Sequence, residues 1–273
     1  MSRFDGRTFL HYSKQEGLSG HSVKALMEDK QGRIWFNSNE KTINYFDGKT
    51  FTTYGEENGT KSSYGNTFLE DSQGNIWIGT NEGLHKFGVT EFRHFNNELL
   101  FLDVSAINED HRGNVWFGVY GDLNGAIRFD GQVFTAYTRN PRTNKGLDFM
   151  QHGVLALLED TRSKLWIGTN GGGAFCFDPN PGLGTFTRFD IGKGLSNNIF
   201  SIQKDGLGRL WFGTLDGMIY SDREAFIKYS PAKESGSRET LIHSLTADKD
   251  NNIWFGNKNY LGCFDGDFFT YLY

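Results

Sequence analysis

The stretch "DKQGRIWFNS" (29–38) decides the fold, because it is one copy of a phrase that returns five more times. The later copies are "GNIWIGT" (74–80), "GNVWFGV" (113–119), "SKLWIGT" (163–169), "GRLWFGT" (208–214) and "NNIWFGN" (251–257). They account for all six tryptophans, spaced 39 to 50 residues apart. Self-similarity at such a period marks a repeat architecture.

Working outward from the tryptophan, each unit reads as four short strands. An apolar run such as "VKALMED" or "VLALLED" ends at an Asp. A D-x-x-G turn follows, in which Asp accepts turn N–H groups and Gly supplies positive φ. Ser163 and Asn251 stand where the other copies have that Gly. The tryptophan phrase is strand two, a short loop leads to a third strand ("TINYF", "AIRF"), and a D-G hairpin turn leads to a fourth ("TFTTY", "VFTAY"). Four antiparallel strands per repeat predict an all-β fold, a β-propeller of six blades, with seven blades, one incomplete, as the alternative. Residues 1–273 are expected to form a single propeller domain. A large ring on strand two fills the seam between blades, contributing roughly 5 kcal/mol gross if about 200 Å² is buried.

The first residues repeat only the back half of a unit, since "FDGRTFLHY" (4–12) matches "FDGKTFTTY" (46–54). Residues 4–12 are expected to clasp the fold by packing beside the 241–273 blade, replacing "FFTYLY" as its outer strand or adding beyond it. The competing reading is half of a seventh blade that lacks its first two strands.

With "DxxGxIWxGT", "GLS" before strand one and "FDGxxFxxY" after strand three in view, the chain resembles the two-component regulator propeller repeat. The best copies are "GLSGHSVKALMEDKQGRIWF" (17–36) and "GLSNNIFSIQKDGLGRLWFGT" (194–214). The resemblance implies the extracytoplasmic sensor part of hybrid histidine kinases, many of which sense glycan fragments. It therefore implies an extracytoplasmic (periplasmic) location, while the given start "MSRFDGRTFL" (1–10) lacks the apolar core of a secretory signal, which keeps a cytoplasmic location as the alternative expectation. By architecture the chain is also similar to the streptogramin lyase propeller, which uses His and Glu in catalysis.

Composition narrows the function. A net charge of −5, with 28 basic and 33 acidic residues interspersed, disfavours nucleic acid as a partner. No run approaches the roughly 20 apolar residues that span a bilayer, so no membrane insertion by this chain is expected. Cys176 and Cys263 occupy matching "CFD" positions a whole blade apart and read as free packing residues. No metal-ligand spacing occurs, and no cofactor is expected.

Repetition supplies an internal control: residues in every blade serve the blade, and unique residues are candidates for function. The carboxylate pairs Glu28–Asp29, Glu70–Asp71, Glu109–Asp110 and Glu159–Asp160 recur and read as structural. The loops joining strand two to three and blade to blade vary, and variable loops on a rigid scaffold carry binding sites. The candidate ligand-binding residues there are His21, Tyr64, Asn66, Asp103, Tyr120, Asp122, Arg142, Phe149, His152, Phe200, His243 and Tyr260. The long connection 138–153 adds Arg139 and Lys145. Aromatic faces beside polar groups suit a small molecule or an oligosaccharide. Three functions stay open: a non-enzymatic ligand-binding sensor, a lyase or hydrolase using His21, His152 and His243 at the central channel, and a platform for a protein partner. The first is the expectation.

Overall fold

The computed structural model describes residues 1–38, 40–55, 65–88, 92–95, 103–121, 123–138, 151–179, 185–189, 197–221, 226–229, 240–257 and 259–272. Six four-stranded antiparallel sheets follow one another along the chain, the blades of a β-propeller. Helix among the described residues is limited to a 3-10 turn at Lys14–Glu16 and a 3-10 residue at Gln151.

The chain divides into two compact units, 1–109 and 110–273. The first opens with a hairpin of β1 (Ser2–Phe4) and β2 (Phe9–His11). Blade one follows as β3 (Val23–Glu28), β4 (Ile34–Ser38), β5 (Ile43–Phe46) and β6 (Phe51–Tyr54). Blade two is β7 (Gly65–Glu70), β8 (Ile76–Thr80), β9 (Gly83–Phe87) and β10 (Phe92–Phe95), and β11 (Asp103–Glu109) begins blade three. The second unit continues with β12 (Val115–Tyr120), β13 (Gly125–Phe129) and β14 (Phe134–Thr138). Blade four is β15 (Val154–Glu159), β16 (Leu165–Thr169), β17 (Ala174–Asp178) and β18 (Thr185–Phe189). Blade five is β19 (Ile199–Lys204), β20 (Leu210–Thr214), β21 (Gly217–Ser221) and β22 (Phe226–Tyr229). Blade six is β23 (Ser244–Ala247), β24 (Ile253–Gly256), β25 (Leu261–Phe264) and β26 (Phe269–Leu272).

One contact repeats in all six blades. The Asp that opens each D-x-x-G turn accepts a hydrogen bond from the indole N–H of the Trp six residues later. The pairs are Asp29–Trp35 (2.7 Å), Asp71–Trp77 (2.8 Å), Asp110–Trp116 (2.9 Å), Asp160–Trp166 (3.0 Å), Asp205–Trp211 (2.9 Å) and Asp248–Trp254 (2.9 Å). The other carboxylate oxygen takes backbone N–H groups of the turn, from Gln31 and Arg33 at Asp29 and from Gln73 and Asn75 at Asp71. A buried carboxylate is stable only when its lone pairs are filled this way.

Packing between blades is aromatic and also repeats. A Tyr near the end of strand four of one blade meets two Phe rings of the next: Tyr54 with Phe87 (5.5 Å) and Phe92 (5.0 Å), Tyr137 with Phe177 (6.0 Å) and Phe186 (5.5 Å), Tyr229 with Phe264 (5.0 Å) and Phe269 (5.9 Å). A third repeat lies at the turns. Glu70 accepts from the Lys30 N–H, Glu109 from Ser72 and Glu159 from His111, so the Glu ending strand one in one blade holds the turn of the blade before it. The recurring Glu–Asp pairs thus divide the work between adjacent blades.

Residues 4–12 neither replace nor extend the outer strand of the last blade. β1 and β2 pair with each other as a two-stranded sheet, and the last blade draws its outer strand from its own Phe269–Leu272. The reason is local: Asp5 accepts the Arg7 and Thr8 N–H groups and closes the same FDG turn that Asp47 closes in blade one, so the segment folds on itself. The hairpin repeats the antiparallel pairing and the turn that join strands three and four within a blade. Cys176 and Cys263 are free thiols, and burial pushes them up to about 12 and about 11.

Two predictions follow from the turns. The carboxyls of Asp29, Asp205 and Asp248 lie below their ordinary value of 3.8: burial raises them, but the hydrogen bonds from Trp and from Arg33, Arg209 or Asn252 outweigh it. A depressed carboxyl stabilises the fold above the unfolded value and loses that contribution as pH falls through the folded one. Melting temperature should therefore hold from pH 7 to about 5 and decline below about 4; a melt unchanged down to pH 2 contradicts this. Ser163 sits at φ 61° and Asn251 at φ 65°, in the conformation Gly32 and Gly74 adopt in equivalent turns. Ser163→Gly should raise unfolding free energy by about 1 kcal/mol in urea titrations, because only glycine occupies that region without steric cost.

Candidate functional site

In the first unit the variable loops bring two predicted residues together. Asn66 enters β7 and Asp103 opens β11, and the Asn66 amide donates to the Asp103 carboxylate (2.6 Å) and to the Val104 carbonyl (3.3 Å). Burial pushes the Asp103 carboxyl above the ordinary carboxylate range, opposed by the Asn66 amide and the Lys24 cation. His21 is exposed just before β3. Beside it in sequence, a hydroxyl cluster joins Ser19 to Ser38 (2.9 Å) and Thr42 to both (3.1 Å to Ser38, 3.3 Å to Ser19). That cluster was not foreseen, since three isolated hydroxyl residues carry no motif.

The second unit holds the richer arrangement. Tyr120 ends β12, His152 precedes β15, and the loop 170–173 follows β16. The Asn170 side chain donates to the Tyr120 hydroxyl (3.1 Å), and its backbone N–H donates to the Gly153 carbonyl (2.8 Å). Both rings pack closely against glycine. A Cβ at Gly153 would collide with the Tyr120 ring, and one at Gly172 with the His152 ring and the Thr169 hydroxyl. Asn197 anchors the loop from the next blade by accepting the N–H groups of Gly171 (3.1 Å) and Gly173 (2.8 Å). The result is a rigid platform on which an exposed phenol, an imidazole and a carboxamide converge.

A second contact in this unit joins Phe200 of β19 to His243, which precedes β23, with ring centroids 5.1 Å apart. Tyr260 is placed differently from expectation: it is buried, edge-on to Phe255 and Tyr271 in the core of blade six. Tyr64, Asp122, Arg142 and Phe149, with Arg139 and Lys145, lie outside the described residues. His111, to which the sequence assigned no place, binds Glu159 through its ring (2.6 Å) on the turn side. Among the described residues no group of three or more His, Cys, Asp or Glu is placed to hold a metal ion.

Sequence reasoning missed Asn170, Gly153 and Gly172. The signal was present in "TNGGG" (169–173), the one run of three glycines in the chain and one residue longer than "TNEG" (80–83) and "TLDG" (214–217).

The comparisons agree with the repeat and the fold. The model of the two component regulator propeller matches residues 17–40, 60–82 and 193–216, so the chain carries that repeat in three places. No curated protein matches the chain. Among solved structures, an extracellular domain assigned to a hybrid two component system of B. thetaiotaomicron is similar at 24% identity and TM-score 0.76, over 91% of this chain and 33% of that one. The chain thus spans about a third of that structure's length. Virginiamycin B lyase from Staphylococcus aureus is similar at 15% identity and TM-score 0.74, over 92% of this chain and 83% of that one. YCF48 bound to D1 peptide is similar at 13% identity and TM-score 0.63, over 92% and 80%.

The glycine seat of the imidazole is testable. Gly172→Ala should displace the His152 ring and cost about 1–3 kcal/mol by overpacking. The readout is the NMR shift of the His152 ring protons, and an unchanged shift contradicts the packing described.

Proposed function

We propose that this chain is the ligand-binding propeller of an extracytoplasmic sensor, and that it takes its ligand on the loop platform of Tyr120, His152 and Asn170. The platform is the observation that carries the reading. It is absent from the repeat pattern, held by glycine contacts and by Asn197, and it presents an exposed ring edge beside amide and imidazole groups. Such a surface fits a hydroxyl-rich ring compound, whose apolar face lies on an aromatic ring while its hydroxyls bond the polar groups. An oligosaccharide is therefore the proposed ligand class. The two component regulator propeller match and the extracellular sensor domain among the similar structures support both the sensing role and the location. No helix among the described residues is long and apolar enough to cross a membrane.

The test is a panel of oligosaccharides screened by thermal shift against the wild type and Tyr120→Ala. A binder at 100 times its Kd should add about 2.7 kcal/mol of stability. Tyr120→Ala should weaken binding at least tenfold, and His152→Ala should do the same. A panel that leaves the melting temperature unchanged, or a binder indifferent to both variants, overturns the proposal. Turnover of a bound sugar that His152→Ala abolishes would favour the lyase reading instead.

A further inference from the structure

Blades four and five meet at a seam that departs from the repeat in two places, and strand pairing fixes both correspondences. The strand-three residue paired with the position before the Trp is Phe46, Phe87, Phe129, Phe177 and Phe264 in five blades, and Ser221 in blade five. The strand-one residue paired with that same position is Glu28, Glu70 and Glu159 in blades one, two and four, and Lys204 in blade five. This seam therefore lacks a ring and a carboxylate that its equivalents carry.

The consequence is a cavity. Between blades three and four, where Phe177 and Glu159 are both in place, they line a space of only ≈ 20 Å³ together with Arg112, Trp116 and Leu165. At the equivalent place between blades four and five the space is ≈ 360 Å³, lined among others by Arg162, Trp166, Phe189, Leu210, Ser221 and Phe226. The ring contacts agree. Trp35, Trp116 and Trp211 pack on Phe87 (5.4 Å), Phe177 (5.2 Å) and Phe264 (5.7 Å) of the next blade. Trp166 has Ser221 at that place, and its rings of contact are Phe189 (4.6 Å) and Phe212 (5.6 Å). It is 7% exposed, against 0% for Trp35 and 1% for Trp116 and Trp211.

The missing carboxylate leaves a cationic rim. Elsewhere Glu70, Glu109 and Glu159 accept the turn N–H groups of Lys30, Ser72 and His111. The corresponding N–H in blade four belongs to Thr161, and the next blade supplies Lys204, whose Nζ donates to the Glu159 carbonyl (3.2 Å). Arg162 is exposed on the same turn. Lys164, also at the cavity, pairs with Asp178 (3.0 Å). The one carboxylate in the lining, Asp160, is committed to the Trp166 indole and to the turn N–H groups of Arg162 and Lys164.

We propose that this cavity binds a small aromatic carboxylate. Its ring takes the place of the absent Phe, between Trp166, Phe189 and Phe226, and its carboxylate takes the place of the absent Glu, at the Thr161 N–H, Arg162 and Lys204. A ring-sized apolar cavity admits an aromatic molecule, and contacts with the surrounding rings add to the burial. Charge-assisted hydrogen bonds from the rim then select an acid over a neutral analogue. The site lies at the opposite end of β16 from the loop 170–173, so it is independent of the platform of Tyr120, His152 and Asn170.

The experiment is isothermal titration of the full 273-residue chain with phenylacetate, and with phenylacetamide as the neutral analogue. Phenylacetate should bind saturably with one-to-one stoichiometry, and phenylacetamide at least tenfold more weakly. Ser221→Phe and Lys204→Glu each restore the residue that equivalent seams carry, and each should weaken phenylacetate binding at least tenfold. Ser221→Phe should also raise the melting temperature, because it fills the cavity; Ser221→Leu serves if that variant does not fold. Absence of saturable phenylacetate binding at millimolar concentration overturns the proposal. So does equal binding of the amide, or binding that survives either substitution.

Discussion

The hydrogen bond from a tryptophan indole to the aspartate six residues before it is the constraint from which the rest of each blade follows. It ties the turn between strands one and two to the largest side chain in the sheet, so turn geometry and seam packing are set together. The Asp oxygen that is free of the indole holds the backbone of the turn. Neither half is stable alone. A buried carboxylate without donors carries a desolvation cost of several kcal/mol, and a buried indole N–H without an acceptor costs about 1–3 kcal/mol. With the ring fixed, its position on the next blade is fixed as well: Trp35 meets Phe87, and Trp211 meets Phe264.

This dependence explains why so much of the scaffold was legible in sequence. The D-x-x-G turn and the Trp phrase are close together in the chain, and their chemistry is set by residue type alone. Even the departures at Ser163 and Asn251 were readable, because a residue in a glycine position inherits its positive φ. What was not legible is the link between turn and ring. Six residues along a hairpin bring Asp and Trp together only after both strands have paired, so the indole bond appears as an unexplained coincidence of spacing. The Glu at the end of strand one is a similar case. Its partner is about 40 residues upstream, and a recurring Glu says that it serves the blade without saying which blade.

The candidate site was legible residue by residue but not as an arrangement. Tyr120 and His152 stood out because no repeat requires them, yet what brings them together is a set of glycines and asparagines that read as ordinary loop. Gly153 and Gly172 are read correctly only when the rings resting on them are seen. Tyr260 shows the converse. It lies in a variable loop and looks unique, but the loop turns inward, and the ring completes the apolar core of blade six. Uniqueness in sequence therefore selects both binding residues and local packing solutions, and burial separates them. Asn66 and Asp103 were likewise named separately, although they form a single polar contact between adjacent blades.

The rule that recurring residues are structural has a physical boundary, which blade one makes visible. A seam residue is structural because another blade covers it, so its role is a property of the neighbour as much as of its own blade. Leu26 and Glu28 are exposed but identical in kind to residues that elsewhere are buried or bonded, and no inspection of their own repeat distinguishes them. Only the neighbour differs: beside blade one lies the two-stranded hairpin of β1 and β2. Burial in a repeat array is therefore a property that two blades share, and the role of a seam residue is read from the pair rather than from its own repeat.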